Sequence, residues 1–484
     1  MELLLNNQDL FQQRCYSNGE WITAPKNIAV DNPATQKIIG NVPCLEKKAI
    51  KKTILAAEKA WLSWRTKPAI ERAQLLYRWH QLILANSDDL ALLLTYEQGK
   101  PLREAKEEIQ YGAAFILWFA EEAKRIYGDI IPSKSLRQHL WVRKQAVGVV
   151  AAITPWNFPN AMVTRKAAPA LAAGCSIIVK PSLKTPFSAL ALAILAEKAG
   201  LPSGVFNVIT GDSVMIGKLF NTHPTIRKIS FTGSTQTGKS IARQSALQLK
   251  KLSLELGGNA PFIVLAEANL EAALEGAIAA KFRNSGQTCV CVNRFYIHET
   301  LYDSFCEKLS QAVQRLEVGN GLVPTVQQGP LINQAALLRV QKHIADALSK
   351  GAQLLCGGKQ PRMGGNFFEP TVLKNCSSEM QIAKEETFGP VAALFKFSTI
   401  QEVVKAANET EFGLAAYIYD DNINQLFHMI EQLDYGMLGI NTGLISNEAA
   451  PFGGFKQSGI GREGSKYGIE DYLEIKYVCL QQVD

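Results

Sequence analysis

The residue types that can do chemistry gather first around Cys289, in Lys281-Phe-Arg-Asn-Ser-Gly-Gln-Thr-Cys289-Val-Cys291-Val-Asn-Arg294. A thiolate is a strong nucleophile, and ionisation is favoured where backbone N–H dipoles or positive charge face the sulfur. The Ser-Gly-Gln-Thr segment before it is small and polar, which lets a backbone come close to a substrate. A lone cysteine is more often a small buried hydrophobe, so its meaning depends on what else the chain brings to it. Leu254-Glu255-Leu256-Gly257-Gly258-Asn259 offers a carboxylate. Thr154-Pro155-Trp156-Asn157-Phe158-Pro159 offers an amide donor, and Glu386-Thr387-Phe388-Gly389-Pro390 a second carboxylate beside an aromatic ring. In Thr232-Gly233-Ser234-Thr235-Gln-Thr-Gly238-Lys239, a branched strand runs into a glycine turn and a helix. A dinucleotide pyrophosphate can meet helix N–H groups at such a place. The segment is not G-x-G-x-x-G, and the same glycines also serve a plain tight turn.

Positioning these groups takes a large fold. At 484 residues the chain exceeds one simple core, and two or three domains are expected. Apolar residues at 47% and charged residues at 20% are ordinary globular composition. The net charge of +7 is spread along the chain, and no basic run marks a nucleic-acid footprint. The longest apolar runs, near 112–120 and 189–196, are too short to span a bilayer. The start, Met1-Glu-Leu-Leu-Leu-Asn-Asn, lacks the basic region of a secretory signal. Nine irregularly spaced cysteines point to reduced thiols and a cytoplasmic location. The six histidines are scattered, so no metal site is expected.

Apolar spacing predicts two helices between 49 and 86, divided at Pro68. A third helix stops at Gly99-Lys100-Pro101, and a fourth covers 102–127. Trp141-Val142-Arg143-Lys144 reads as exposed strand. From Gly148 the pattern turns to βαβ: strands near 149–153, 176–180, 205–209 and 226–231, with helices around 161–173 and 189–199. A second α/β unit follows Leu256, with a strand at 260–265, a helix over 270–282 and strands near 295–298, 391–397 and 414–419. Alternation of this kind predicts α/β architecture with doubly wound, Rossmann-like parallel sheets. The terminal Tyr472–Cys479 stretch alternates like a strand.

Taken together and in order, the motifs around Asn157, Glu255, Cys289 and Glu386 resemble the aldehyde dehydrogenase superfamily, from about Tyr16 to Val478. The resemblance implies a dinucleotide-binding domain from 1–124 and 145–255 and a catalytic domain from 256–447. It also implies a small β extension for oligomerisation, from 125–144 and 465–484, in a homodimer or homotetramer. Cys289 would attack the aldehyde carbon, and the Asn157 side chain and the Cys289 N–H would hold the resulting alkoxide. Glu255 would activate water against the thioester, a base that acylating relatives typically lack. Trp156, Lys180, Ser182, Lys184, Gly233, Ser234, Gly238, Glu386 and Phe388 would hold the cofactor.

The stretches 281–291 and 441–447 resemble the succinate-semialdehyde dehydrogenase branch. There Arg165, Arg283 and Ser446 would hold a far carboxylate through charge-assisted hydrogen bonds; each arginine has a structural ion pair as its other reading. Leu183 stands where NAD-preferring relatives often carry Glu, so NADP is expected, with NAD as the alternative. Cys291 is a candidate redox partner of Cys289. Other open readings are a glutarate-semialdehyde or aliphatic-aldehyde dehydrogenase and, from another class, a non-catalytic structural protein of the same fold. No nucleic-acid or membrane partner is expected.

Overall fold

The computed structural model describes residues 3–482. Its first sheet has eight strands, and five of them form a parallel core in the order Phe206–Val208, Ser176–Lys180, Val149–Ile153, Ile226–Thr232, Lys251–Glu255. The chain winds outward from Val149–Ile153 to one side, then returns to continue on the other. In open α/β sheets this switch point leaves a crevice at the carboxyl ends of the two central strands. Thr154-Pro155-Trp156 follows one of those strands and Gly233-Ser234 the other.

Helices cover this sheet because their apolar stripes have nowhere else to go. Trp64, Trp79, Phe115 and Phe119 are fully buried. The indole N–H of Trp64 donates to the Leu171 carbonyl and that of Trp79 to the Leu192 carbonyl, both at 3.1 Å. Pro68 caps the helix Ala69–Ala85, and Gly99, at φ +97°, ends Ser87–Gln98 as predicted. The fourth helix stops at Glu122, short of the expected 127. There Arg125 pairs with Glu122 at 2.7 Å across a tight turn, Ala123–Arg125.

Residues 256–259 carry the chain into a second sheet of seven strands, built around Val391–Phe397, Val292–His298, Ala260–Val264 and Ala415–Tyr419, all parallel. The helix Leu270–Phe282 packs against it, capped by the Asn269 side chain. The short strands Gln353–Cys356, Thr371–Lys374 and Met437–Ile440 and the helix Ser213–Thr222 were not expected from sequence. Each is too brief to show a clear period.

The third sheet stands apart. Gln138–Ala146 pairs antiparallel with Leu473–Gln481 on one side and Ile130–Ile131 on the other. The first segment therefore runs two residues past the expected 144. The second begins with a short helix, Tyr467–Glu470, before its strand, and its last two residues, 483 and 484, lie outside the described residues. Ile130, Ile475 and Tyr477 on this sheet are exposed, as is Leu136 in the turn between two of its strands.

Candidate active site

The helix Leu270–Phe282 delivers Arg283 and then breaks. Asn284, Ser285 and Gly286 have φ of 51°, 54° and 74°, a left-handed run that two non-glycine residues adopt only under strain. Buried hydrogen bonds hold it. The Asn284 N–H donates to Glu104 Oε2 at 2.8 Å. Its side-chain amide donates to the carbonyls of Asn157 and Gln287, and its Oδ1 accepts from Gln98 at 2.9 Å. Ser285 Oγ donates to the Gly329 carbonyl. A Cβ on Gly286 would strike the Gly389 carbonyl. The close approach expected here toward a substrate is therefore made to the 386–390 loop, which ties Cys289 to Glu386.

Cys289 lies on the wall of two cavities. One, of about 210 Å³, is also lined by Trp156, Asn157, Gly233, Ser234, Glu386 and Phe388. Through Pro155, Trp156 and 232–234 it adjoins a groove of about 610 Å³ at the sheet's switch point. The other cavity, of about 200 Å³, is lined by Tyr111, Phe158, Arg165, Arg283, Ser446 and Phe452. Met162 borders both. The phenyl ring of Phe388, itself at φ 52°, stands edge-on to Trp156 with centroids 5.5 Å apart.

Burial, and then the Glu386 carboxylate, push the Cys289 thiol up to about 12. The resting group is a thiol. Alkylation of Cys289 by iodoacetamide is therefore expected to accelerate about tenfold per pH unit from about pH 7 to about pH 10 without a plateau. Peptide mass spectrometry of quenched samples measures this, and a plateau below about pH 9 would contradict it.

Asn157 is 5% exposed and donates one amide hydrogen to the Gln287 carbonyl at 3.0 Å. An amide has two, so one remains for the cavity. The Cys289 N–H has no hydrogen-bond partner among the described residues. Glu386 accepts from the Gly258 N–H at 3.2 Å, and burial raises it to about 7. Glu255 ends its strand 3% exposed, with Oε2 unpartnered. It sits behind the cavity walls rather than on them. Burial, and then Glu463, hold it well above the usual carboxylate range. A Cβ on Gly453, at φ 157°, would come within 3.0 Å of its Oε1.

Of the two candidate carboxylate-binding arginines, Arg165 is engaged and Arg283 is not. Arg165 Nη2 lies 2.7 Å from Glu463 and its guanidinium 4.0 Å over Phe452, while Nε is buried without a partner. Burial opposes its charge, but Glu463 holds it above the ordinary arginine value. Glu463 also pairs with the buried Lys166. Arg283 has no ion pair among the described residues and lies 5.5 Å from the Phe158 ring. Ser446 is half-buried on the same wall. Cys291 is a buried free thiol whose Sγ donates to the Lys281 carbonyl at 3.4 Å.

Sequence reasoning missed Glu463, Lys166 and the pair Lys100–Glu108. Lys100 Nζ donates to Glu108 at 2.6 Å and to the Asn157 carbonyl at 2.8 Å. Glu108 in turn accepts the N–H groups of Asn160 and Ala161 at the start of the next helix. The only local signal was Glu463's place between Gly461 and Gly464, both left-handed.

In the groove, Lys180 ends its strand nearly buried, lowered to about 8 by that burial, with Ser182 beside it. Gly233 and Ser234 lead into the helix Thr235–Ser245, which Ser234 caps. Lys184 is not on the groove wall; its ammonium meets Asp31 at 3.4 Å. Gly238 is not there either, and its missing side chain makes room for Leu256.

A thiol between a dinucleotide-type groove and a second cavity is a layout that suits a dehydrogenase working through cysteine. The aldehyde dehydrogenase family model matches residues 21–478, and the chain belongs to that family. It is 56% identical to the succinate-semialdehyde dehydrogenase [NADP(+)] of Escherichia coli K12, over 98% of this chain and 99% of that one. It is 55% identical to the glutarate-semialdehyde dehydrogenase of Pseudomonas aeruginosa over the same shares. A crystal structure of an aldehyde dehydrogenase from Brucella melitensis biovar abortus superposes with TM-score 0.98, at 55% identity, covering all of both chains.

Proposed function

We propose that this protein oxidises succinate semialdehyde to succinate with NADP, through a thioester on Cys289. The observation that carries the reading is the position of Cys289, between the groove and a cavity where Arg283 is the cation without an ion pair among the described residues. The relatives named for acid-terminated aldehydes support it.

Cys289 loses its thiol proton to solvent and adds to the aldehyde carbon as its thiolate. The free hydrogen of the Asn157 amide and the Cys289 N–H hold the alkoxide. NADP held in the groove, with Glu386 and Phe388 at its nicotinamide end, would supply the hydride acceptor beside Cys289. Glu255 then draws a proton from water as it attacks the thioester, and the sulfur leaves. A side chain at position 453 would crowd the Glu255 carboxylate. Arg283 and Ser446 hold the far carboxylate, with Arg165 behind them contributing its unpartnered Nε–H.

The groove fits the cofactor. Its wall presents the capped start of the helix Thr235–Ser245 to a pyrophosphate, and Lys180 and Ser182 to an adenosine ribose. The Lys180 ammonium makes no hydrogen bond or ion pair among the described residues, and Leu183 puts no carboxylate beside it, so a 2′-phosphate is admitted. Glu386 and Phe388 stand at the other end, next to Cys289.

The experiment is the absorbance of reduced nicotinamide with succinate semialdehyde, glutarate semialdehyde and butanal, each with NADP and NAD. Arg283→Met is expected to cut kcat/KM for the acid-terminated substrates about 10- to 100-fold, the loss of one charge-assisted hydrogen bond, and to leave butanal much less affected. Equal losses on all three would remove the carboxylate role. Glutarate semialdehyde remains a second reading, favoured by a relative of equal coverage, and relative kcat/KM decides between them. No signal with any pair would leave only a structural role.

The exposed outlying sheet supports assembly with further copies of the chain. The nine free cysteines support a reducing, cytoplasmic setting. No helix among the described residues is long and apolar enough to cross a membrane.

A further inference from the structure

We propose that Glu104 is a specificity-determining residue: it fixes the backbone that presents Arg283 and stands in the same cavity, so its charge sets how firmly Arg283 holds a substrate's far carboxylate. This rests on the substrate reading above.

The geometry has two parts. Glu104 Oε2 accepts the N–H of Asn284, the residue after Arg283, at the first left-handed position of the kink. Without that acceptor a buried N–H would be orphaned where the backbone is most strained. Glu104 is also on the wall of the 200 Å³ cavity with Arg283.

The surrounding charges leave these two alone. On the same helix, Glu108 is paired with Lys100, and Glu107 is exposed beside Arg103. Across the cavity, Arg165 is paired with Glu463. Tyr111 and Cys289 also face the space, and burial keeps both neutral at ordinary pH. Arg283 is thus the cation of the cavity without an ion pair among the described residues, and Glu104 is the wall carboxylate with neither an ion pair there nor the surface exposure of Glu107. Burial raises Glu104 to about 7, against the pull of Lys100, the Asn284 N–H and Arg283. Below that pH Glu104 is neutral, and Arg283 faces the substrate alone. Above it, the ionised Glu104 competes for Arg283 and repels an incoming carboxylate.

The test compares kcat/KM for succinate semialdehyde with that for butanal, as a ratio, from about pH 6 to about pH 8.5, where the substrate's own carboxylate stays ionised. The ratio cancels titrations common to both substrates. In the parent protein it is expected to fall about tenfold with a midpoint near 7. Glu104→Gln keeps an acceptor for the Asn284 N–H and removes the charge; its ratio should be high and flat. Glu104→Ala removes both, and its ratio should be low at every pH, with Glu104→Gln as the conservative rescue. A Gln variant that declines like the parent, or an Ala variant indistinguishable from Gln, overturns the proposal while leaving the substrate reading intact. A parent ratio near unity at every pH overturns both.

Discussion

A Glu255→Gln variant is expected to release one equivalent of reduced cofactor per site and then stall, with steady-state turnover lower by about 10²- to 10⁴-fold. Two carboxylates stand near Cys289, and their surroundings differ. Glu386 is on the wall of the thiol's own cavity, raised to about 7 and bound to the Gly258 N–H. Glu255 is buried behind the wall, with one oxygen free, in a cluster that also holds Arg165, Lys166 and Glu463. A buried carboxylate well above the usual range is a stronger base when it does ionise, and a better match to water as a proton source. Rapid mixing followed at the nicotinamide band shows the burst. Acid-quenched intact mass shows the acyl group on Cys289. If Glu386→Gln stalls in this way and Glu255→Gln does not, the base has been assigned to the wrong carboxylate.

Glu108→Ala should destabilise the fold by about 3–5 kcal/mol, because it strands the Lys100 ammonium in the interior. Neither side chain of the pair has any exposure. Lys100 Nζ also lies 3.8 Å over the Phe158 ring and holds the Asn157 carbonyl. Glu108 holds the N–H groups of Asn160 and Ala161. The pair thus clamps the middle of the loop that carries Asn157 and its junction with the following helix. Two consequences should separate. The paired change Lys100→Met with Glu108→Leu restores much of the stability by replacing charge with apolar volume. It does not restore the Asn157 anchor, so kcat should stay low. Denaturant midpoints and steady-state kinetics measure the two effects. A single Glu108→Ala variant within about 1 kcal/mol of the parent would show that the interior there is wet enough to solvate Lys100.

Much of the fold was legible in order along the chain. Branched strands at 149–153, 176–180 and 226–231 gave the parallel core, and Pro68 and Gly99 divided the helices where they were expected to. Asn157, Lys180 and Gly233 follow or end strands of the first sheet, while Cys289 follows a helix that local spacing could locate. Their convergence follows from parallel strands ending on one side of a sheet. The ion pairs were not legible. Lys166 and Glu463 are 297 residues apart, and nothing near either names the other. Arg165 and Arg283 looked alike in sequence, yet one is paired with Glu463 and the other is in no ion pair among the described residues. Lys184, expected at the cofactor, meets Asp31, which no local spacing indicated.

By itself the sequence determined the elements, the two successive α/β units and the thiol, amide and carboxylates available for chemistry, because turns, periods and strand ends depend on neighbouring residues. Only the tertiary structure decided which charges cancel and which stay free, which glycines serve packing, and that Cys289 stands between two cavities. Charge and burial depend on distance in space, and the order of strands in the sheets sets that distance.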